Sequence, residues 1–154
     1  MKLMFIDITR AYYYARARRR IFIQLPDGDR EPGMCGLLNM SLQGTRDAAQ
    51  NWEYEYSEFL HSIGFVKGKA SPCLFYNKQY DIRLAVHGDD FTLLGLMNDL
   101  QWFQGEIKKK FETKVRGIIG CEPTDDKSIR ILNRVIEWTE RGIEYEADQR
   151  HAET

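Results

Sequence analysis

Three acidic residues carry the strongest chemical signal in this sequence. Asp7 interrupts Lys2-Leu3-Met4-Phe5-Ile6-Asp7-Ile8, which otherwise reads as a buried strand. A carboxylate there is expensive unless it is paired or bound to a metal. Asp89 and Asp90 are adjacent and follow Gly88 between two strand-like stretches. At ~4 Å and an effective dielectric near ~20, two like charges cost on the order of 4 kcal/mol. A lone Asp-Asp turn is also ordinary turn chemistry, and it is the third acid that changes the reading. A core strand and a hairpin tip in one sheet can bring Asp7, Asp89 and Asp90 together. Clustered carboxylates with no lysine among them suit hard divalent cations such as Mg²⁺, which take oxygen ligands.

The elements that would position these acids are readable. Ile82, Leu84 and Val86 alternate on one face of a strand, Phe91 to Leu94 form the next, and His87-Gly88-Asp89-Asp90 turns between them. Pro72 to Tyr76 forms a further strand, joined to Ile82 to Val86 by an Asn77–Asp81 turn. Trp52, Tyr56, Phe59, Leu60 and Ile63 share one face of a helix entered through Gly44-Thr45-Arg46-Asp47, with Gly64 as its C′ residue. A second helix is predicted from about Asn98, as cap, to Phe111, with Lys108, Lys109 and Lys110 in its last turn. Thr9 to Ala15 is short and helix-compatible, and Ile21 to Leu25 is a strand stopped by Pro26. Ser128 to Thr139 and Ile143 to Ala147 flank a glycine turn at Glu140-Arg141-Gly142 and predict a terminal hairpin. The order is βββαββα followed by that hairpin. It predicts an α+β fold, an antiparallel sheet with two helices on one face.

Composition sets the bounds. The chain has 154 residues, 43% apolar, 29% charged and 12% aromatic, which suits a globular domain and not a wholly disordered one. No apolar run approaches the ~20 residues that cross a bilayer. Cys35, Cys73 and Cys121 lie far apart and make neither a disulfide framework nor a metal knuckle. A net charge of −1 excludes a chain that is basic throughout, but not a local basic patch. Residues 8 to 24 hold Arg10, Arg16, Arg18, Arg19 and Arg20 and no acid, beside Tyr12 to Tyr14. Such a patch suits a polyanion; it is equally the look of a solvated face.

Four segments in order resemble one family. "FIDITRAYYY" resembles motif A of reverse transcriptases, "SLQGTRDAAQNW" motif B, and "AVHGDDFTLLG" motif C. "NWEYEYSEFLHSIGFVKGKASPCLFY" resembles the connecting stretch of the copia-type retrotransposon enzymes. The resemblance covers roughly residues 3 to 115 and, more loosely, the terminal hairpin. It implies a polymerase palm, with a ferredoxin/RRM-like sheet. The implied boundaries are residues 1–115 for a palm core lacking its fingers strands, 116–147 for a primer-grip-like hairpin, and 148–154 for a polar tail.

The resemblance also implies roles. Asp7, Asp89 and Asp90 would be the catalytic carboxylates, binding two Mg²⁺ ions (or Mn²⁺) with help from the Ile8 carbonyl. The reaction would be in-line transfer of a nucleotide from dNTP to a primer 3′-hydroxyl on an RNA or DNA template. Tyr12 would be the steric gate against a 2′-hydroxyl. Gln43 and Gly44 would meet the nucleotide or template, although a helix-entry turn explains Gly44 equally well. Arg10, Arg16, Arg18 and Arg46 would contact phosphates. Partners would be the fingers, RNase H and integrase parts of a Pol polyprotein, in a cytoplasmic virus-like particle and not a membrane. Two features depart from the family pattern: His87 replaces the usual motif C tyrosine and reads as a hairpin-packing residue, and arginines stand at several places usually acidic. The competing readings are a catalytically inactive relic of a mobile element, an RRM-like nucleic-acid-binding module, and a metal-dependent phosphohydrolase. An RRM would show exposed aromatics where the central strands here carry acids. A phosphohydrolase would add histidine ligands, and His61 and His151 have no suitable spacing.

Overall fold

The structure, a computed structural model, describes residues 1–146. Ala147, the tail expected from Asp148 and His151 lie outside the described residues. In chain order the elements are β1 (Lys2–Ile8), a 3₁₀ turn (Ala11–Tyr14), β2 (Phe22–Ile23), β3 (Gly36–Leu37), α1 (Ala48–Ser62), β4 (Phe65–Lys67), β5 (Leu74–Asn77) and β6 (Ile82–His87). They continue with β7 (Asp90–Gly95), α2 (Met97–Lys108), β8 (Thr113–Ile119), β9 (Ser128–Ile131), β10 (Arg134–Thr139) and β11 (Gly142–Tyr145). The main sheet has the order β4-β5-β6-β7-β1-β8, and every neighbouring pair is antiparallel. This is an α+β fold, with an antiparallel sheet and two α-helices.

Period-2 alternation divides β1. Met4, Ile6 and Ile8 are buried in one cluster with Trp52, Tyr56, Phe59 and Leu60 of α1 and Leu100, Phe103 and Ile107 of α2. Both helices therefore cover the same face. Burying side chains of this size stabilises by ~1.5–3 kcal/mol each before the entropy of ordering is subtracted. Leu3, Phe5 and Asp7 point to the other face. There Phe5 joins Ile119 and Ile131 in a smaller cluster, with Leu3, Ile129, Ile136 and Trp138 packed against it.

Four sequence expectations change in the structure. The helix expected from Asn98 starts at Met97, with Leu96 at the N-cap and no side-chain cap bond. Packing sets that entry, because Leu100 seats against buried Gly95, where an added Cβ would lie 3.3 Å from it. The helix ends at Lys108, so Lys109 and Lys110 lie in the turn beyond; Lys110 reaches Glu55 at 2.7 Å. The expected terminal hairpin is a three-stranded meander. Leu132 and Asn133 both take positive φ (50° and 61°) and split the predicted strand into β9 and β10. A leucine in that conformation gives no turn signal. Finally, β8 is a strand where the sequence carries no strand pattern. A β-bulge and Gly117 break its alternation.

Candidate active site

In the register of β1 and β7, Asp7 stands directly opposite Asp90. Directly opposed residues of an antiparallel pair point to the same face, so both carboxylates lie on the face away from the helices. Asp89 occupies the turn between β6 and β7, and its carbonyl accepts from the Ile8 amide at 2.9 Å. Only Gly88 of this two-residue turn has positive φ (63°), as in a type II′ hairpin turn. The Trp52 indole of α1 donates to the Gly88 carbonyl at 2.8 Å. The buried helix face thus fixes the turn that carries the acids, a positioning role the sequence reading did not give Trp52.

Cations approach from β8. Lys114 stands opposite Asp7 on the other side of β1. Ile6 pairs with Val115 and Phe5 with Gly117, which leaves Arg116 as the extra residue of a bulge. From there Arg116 Nη1 reaches Asp90 Oδ1 at 3.4 Å. Asp7, Lys114, Val115 and Arg116 line a cleft of about 410 Å³. The sequence reading singled out neither Lys114 nor Arg116. Their signal was a pair of cations in a segment that gave no strand pattern.

Asp90 is held above the ordinary carboxylate range. Burial is the largest cause, and its side chain is only 15% exposed. Asp89 and Asp7 push in the same direction, while Arg116 opposes them. The three acids therefore share one electrostatic neighbourhood. Among the described residues, however, no three His, Cys, Asp or Glu side chains converge into a ready-made metal cage. The two opposed carboxylates are the oxygen donors this face presents. Mg²⁺ is usually held by one or two carboxylates plus substrate phosphates, so the donor set fits a cation that arrives with a phosphate ligand.

The other expected site residues are placed as follows. Ile8 buries its side chain among the helices. Tyr12 is half-buried against the core, Tyr13 is exposed, and Tyr14 packs edge-on to Phe111 and accepts from the Glu112 amide at 2.9 Å. Gln43 is exposed and Gly44 has φ 91°, so the turn into α1 does require the glycine. Arg10 is exposed with left-handed backbone (φ 56°), directly after β1 and Thr9. His87, expected to pack, is exposed and stands opposite Asp90 in the β6–β7 register. Arg16 and Arg18 lie on a separate ribbon, and Arg46 is exposed before α1. Among the described residues Arg10, Arg16, Arg20 and Arg46 make no ion pair, and none of the seven arginines from Arg10 to Arg46 pairs with Asp7, Asp89 or Asp90.

No family model matches the chain. It is 25% identical over 138 residues to the retrovirus-related Pol polyprotein from transposon TNT 1-94 of Nicotiana tabacum, a match covering 82% of this chain and 10% of that protein. It is 28% identical over 124 residues to the Ty1-GR3 Gag-Pol polyprotein of Saccharomyces cerevisiae, covering 79% of this chain and 7% of that one, and matches the Ty1-OR Gag-Pol polyprotein of the same yeast to the same extent. The chain thus spans a tenth or less of the length of these relatives. Their agreement over four-fifths of this sequence supports an origin in a retrotransposon Pol polyprotein.

Proposed function

We propose that this chain is a palm segment of a retrotransposon reverse transcriptase, acting in nucleotidyl transfer from dNTP to a primer 3′-hydroxyl. The observation that carries the reading is Asp7 opposite Asp90 on adjacent strands, with Asp89 in the adjoining turn, on the sheet face the helices leave open. The strand order adds support. With α1 and α2 as crossovers, β1, β6, β7 and β8 lie in the order β6-β7-β1-β8, a split β-α-β arrangement. The central strands carry acids and not exposed aromatics on that face, which favours the polymerase over an RRM-like module.

Asp7, Asp89 and Asp90, with the Ile8 carbonyl, would hold Mg²⁺ or Mn²⁺. Bound there, such ions would lower the pKa of the attacking hydroxyl and neutralise charge on the phosphates. The residues of the chain supply positioning. Asp7 and Asp90 present oxygens side by side. Trp52 holds the turn through Gly88. Arg116, 3.4 Å from Asp90, offsets part of its charge. Tyr12, half-buried beyond the end of β1, would exclude a 2′-hydroxyl; Gln43 and Gly44 would face the nucleotide or template. Arg10 and Arg46, exposed and unpaired among the described residues, would meet phosphates. The partners on this reading are template–primer, dNTP and the other Pol segments, fingers, RNase H and integrase, assembled in a cytoplasmic particle.

The test is binding first and turnover second. Titrating the chain with Mn²⁺ and dNTP together, followed by Mn²⁺ electron paramagnetic resonance, should show cooperative uptake that Asp7→Asn and Asp90→Asn each abolish. Primer extension on an RNA template should fall by at least about a hundredfold in the same variants, since removing one preorganised electrostatic contact costs roughly that much. Uptake unchanged by both variants would overturn the proposal.

A further inference from the structure

Arg116 owes its direction to a glycine. In an unbroken strand it would stand opposite Phe5, against the second sheet where Phe5 packs. The bulge gives that place to Gly117 instead. A Cβ added at Gly117 would lie 2.9 Å from Ile129 Cδ1 and 2.9 Å from Asp126 Oδ2, so a side chain there would press on both. Asp126 also pins the bulge at two points. Its Oδ2 accepts from the Ile118 amide at 2.9 Å, and its own amide donates to the Ile118 carbonyl at 2.9 Å. Kept out of the contact between the sheets, the Arg116 side chain crosses β1 to reach Asp90 on β7.

The contact it makes there is loose. Elsewhere in the chain, Arg19 grips Asp47 at two points, Nε to Oδ2 at 3.1 Å and Nη2 to Oδ1 at 3.2 Å, and Arg18 lies over the Tyr54 ring, 3.4 Å from its centroid. Arg116 touches Asp90 at one point, at 3.4 Å. That is longer than the ~2.7–2.9 Å of a strong charge-assisted bond, and the Arg116 side chain is 41% exposed. Among the described residues Asp7 and Asp89 make no ion pair, and neither does Lys114, which lines the same cleft. A single displaceable cation therefore stands on the three acids.

We propose that Arg116 is a built-in competitor of divalent cations at Asp90, which keeps the affinity for a bare ion low. The inference deepens the reading above and rests on its assignment of cations to these carboxylates. A guanidinium and a divalent ion repel each other, and both seek Asp90 Oδ1. An ion that brings phosphates adds ligands of its own and offers the displaced guanidinium another anion. A bare ion adds neither. The same side chain thus separates a lone ion from one carried by a phosphate ligand.

The experiment is Mn²⁺ electron paramagnetic resonance with the full 154-residue chain, using Mn²⁺ alone. Arg116→Gln should bind Mn²⁺ roughly fivefold more tightly, the upper end for an ion pair with one exposed partner. Structural damage would weaken the site, so a gain in affinity is a readout that misfolding does not imitate. Lys114→Gln, which removes an unpaired charge, should change the affinity by less than about twofold. The gain should vanish in Asp90→Asn/Arg116→Gln. With dTTP added, it should shrink. The proposal is overturned if Arg116→Gln tightens Mn²⁺ by less than twofold, weakens it, or leaves both chains without uptake. An equal gain in Lys114→Gln would reveal a general field and overturn it too. So would a gain that survives in Asp90→Asn/Arg116→Gln, which places the ion elsewhere, or one undiminished by dTTP, which is a fixed repulsion. If Mn²⁺–dNTP uptake fails while Arg116→Gln still tightens Mn²⁺ alone, the nucleotidyl-transfer reading falls and the competition stands. If that uptake holds and Arg116→Gln changes nothing, only the competition falls.

Discussion

The two faces of the main sheet are made by alternate residues of the same strands, yet they are built for different ends. On the helix side, Met4, Ile6, Ile8, Leu84, Phe91 and Leu93 are all at most 2% exposed. On the other side, Val66 and Leu74 at one end of the sheet are 69% and 48% exposed, and the central strands carry Asp7 and Asp90. The second sheet covers only the end near Phe5 and Ile119. One face stores the stability, and the other can hold charges that repel. A carboxylate pair is tolerable on β1 and β7 because the opposite face of the same strands already anchors them.

The sharpest way to break this contrast is to empty the covered face. Phe103 is completely buried, and Phe103→Ala should cost ~3–5 kcal/mol in chemical denaturation, transfer and cavity together. Val66→Thr, a β-branched exchange at an exposed position, should stay within about 0.5 kcal/mol. Comparable losses from both would mean that the open face is covered by something this sheet does not show, and the contrast would fail.

A smaller effect is expected where the faces communicate. Trp52 is 1% exposed and its indole reaches the Gly88 carbonyl. Trp52→Phe keeps an aromatic ring against Phe91 and Phe111 but removes that donor. It should cost about 1–2 kcal/mol. It should also speed amide exchange in the turn from Gly88 to Asp90 and weaken Mn²⁺–dNTP uptake. A stability loss that leaves both readouts unmoved would reduce Trp52 to packing.

How far the sequence could be read follows the same division. The covered face was legible because periodicity reports burial: α1, β6, β7 and the Asp89–Asp90 turn came from apolar spacing and turn residues alone. Asp7 stood out because a charge interrupts an apolar run. Lys114 and Arg116 were not legible, since a one-residue bulge shifts β8 and hides its alternation. Leu132 was not either, because its left-handed backbone is imposed by the β9–β10 turn and not advertised by its side chain. The arginine run was visible as charge. Which of its members are occupied depends on Tyr54 and Asp47, distant partners that no local pattern predicts.

The mildest expectation concerns the seam between the open face and the second sheet. Lys2 Nζ meets Asp125 Oδ1 at 2.6 Å and Glu122 Oε2 at 2.8 Å, tying the start of β1 to the loop that leads into β9. The hydrogen bond from Lys2 is the chief reason that the Asp125 carboxyl is held below the usual carboxylate range. The bond to Asp125, then that to Glu122, raises the Lys2 ammonium above its ordinary value. A depressed carboxylate contributes stability above its unfolded pKa and loses it as pH falls through the folded value. A raised lysine contributes below its unfolded pKa and loses it as pH climbs through the folded one. The seam is therefore firm between these limits and loosens beyond either. In acid, the indole resonance of Trp138 should shift before that of Trp52, because Trp138 packs on the seam and Trp52 in the helix-covered core. Lys2→Met removes the chief cause of that depression and leaves the Glu122 amide and Lys127, so the Trp138 transition should move to higher pH while Trp52 stays put. If both indoles move together in the parent chain, the two faces share one cooperative core and the seam has no separate stability.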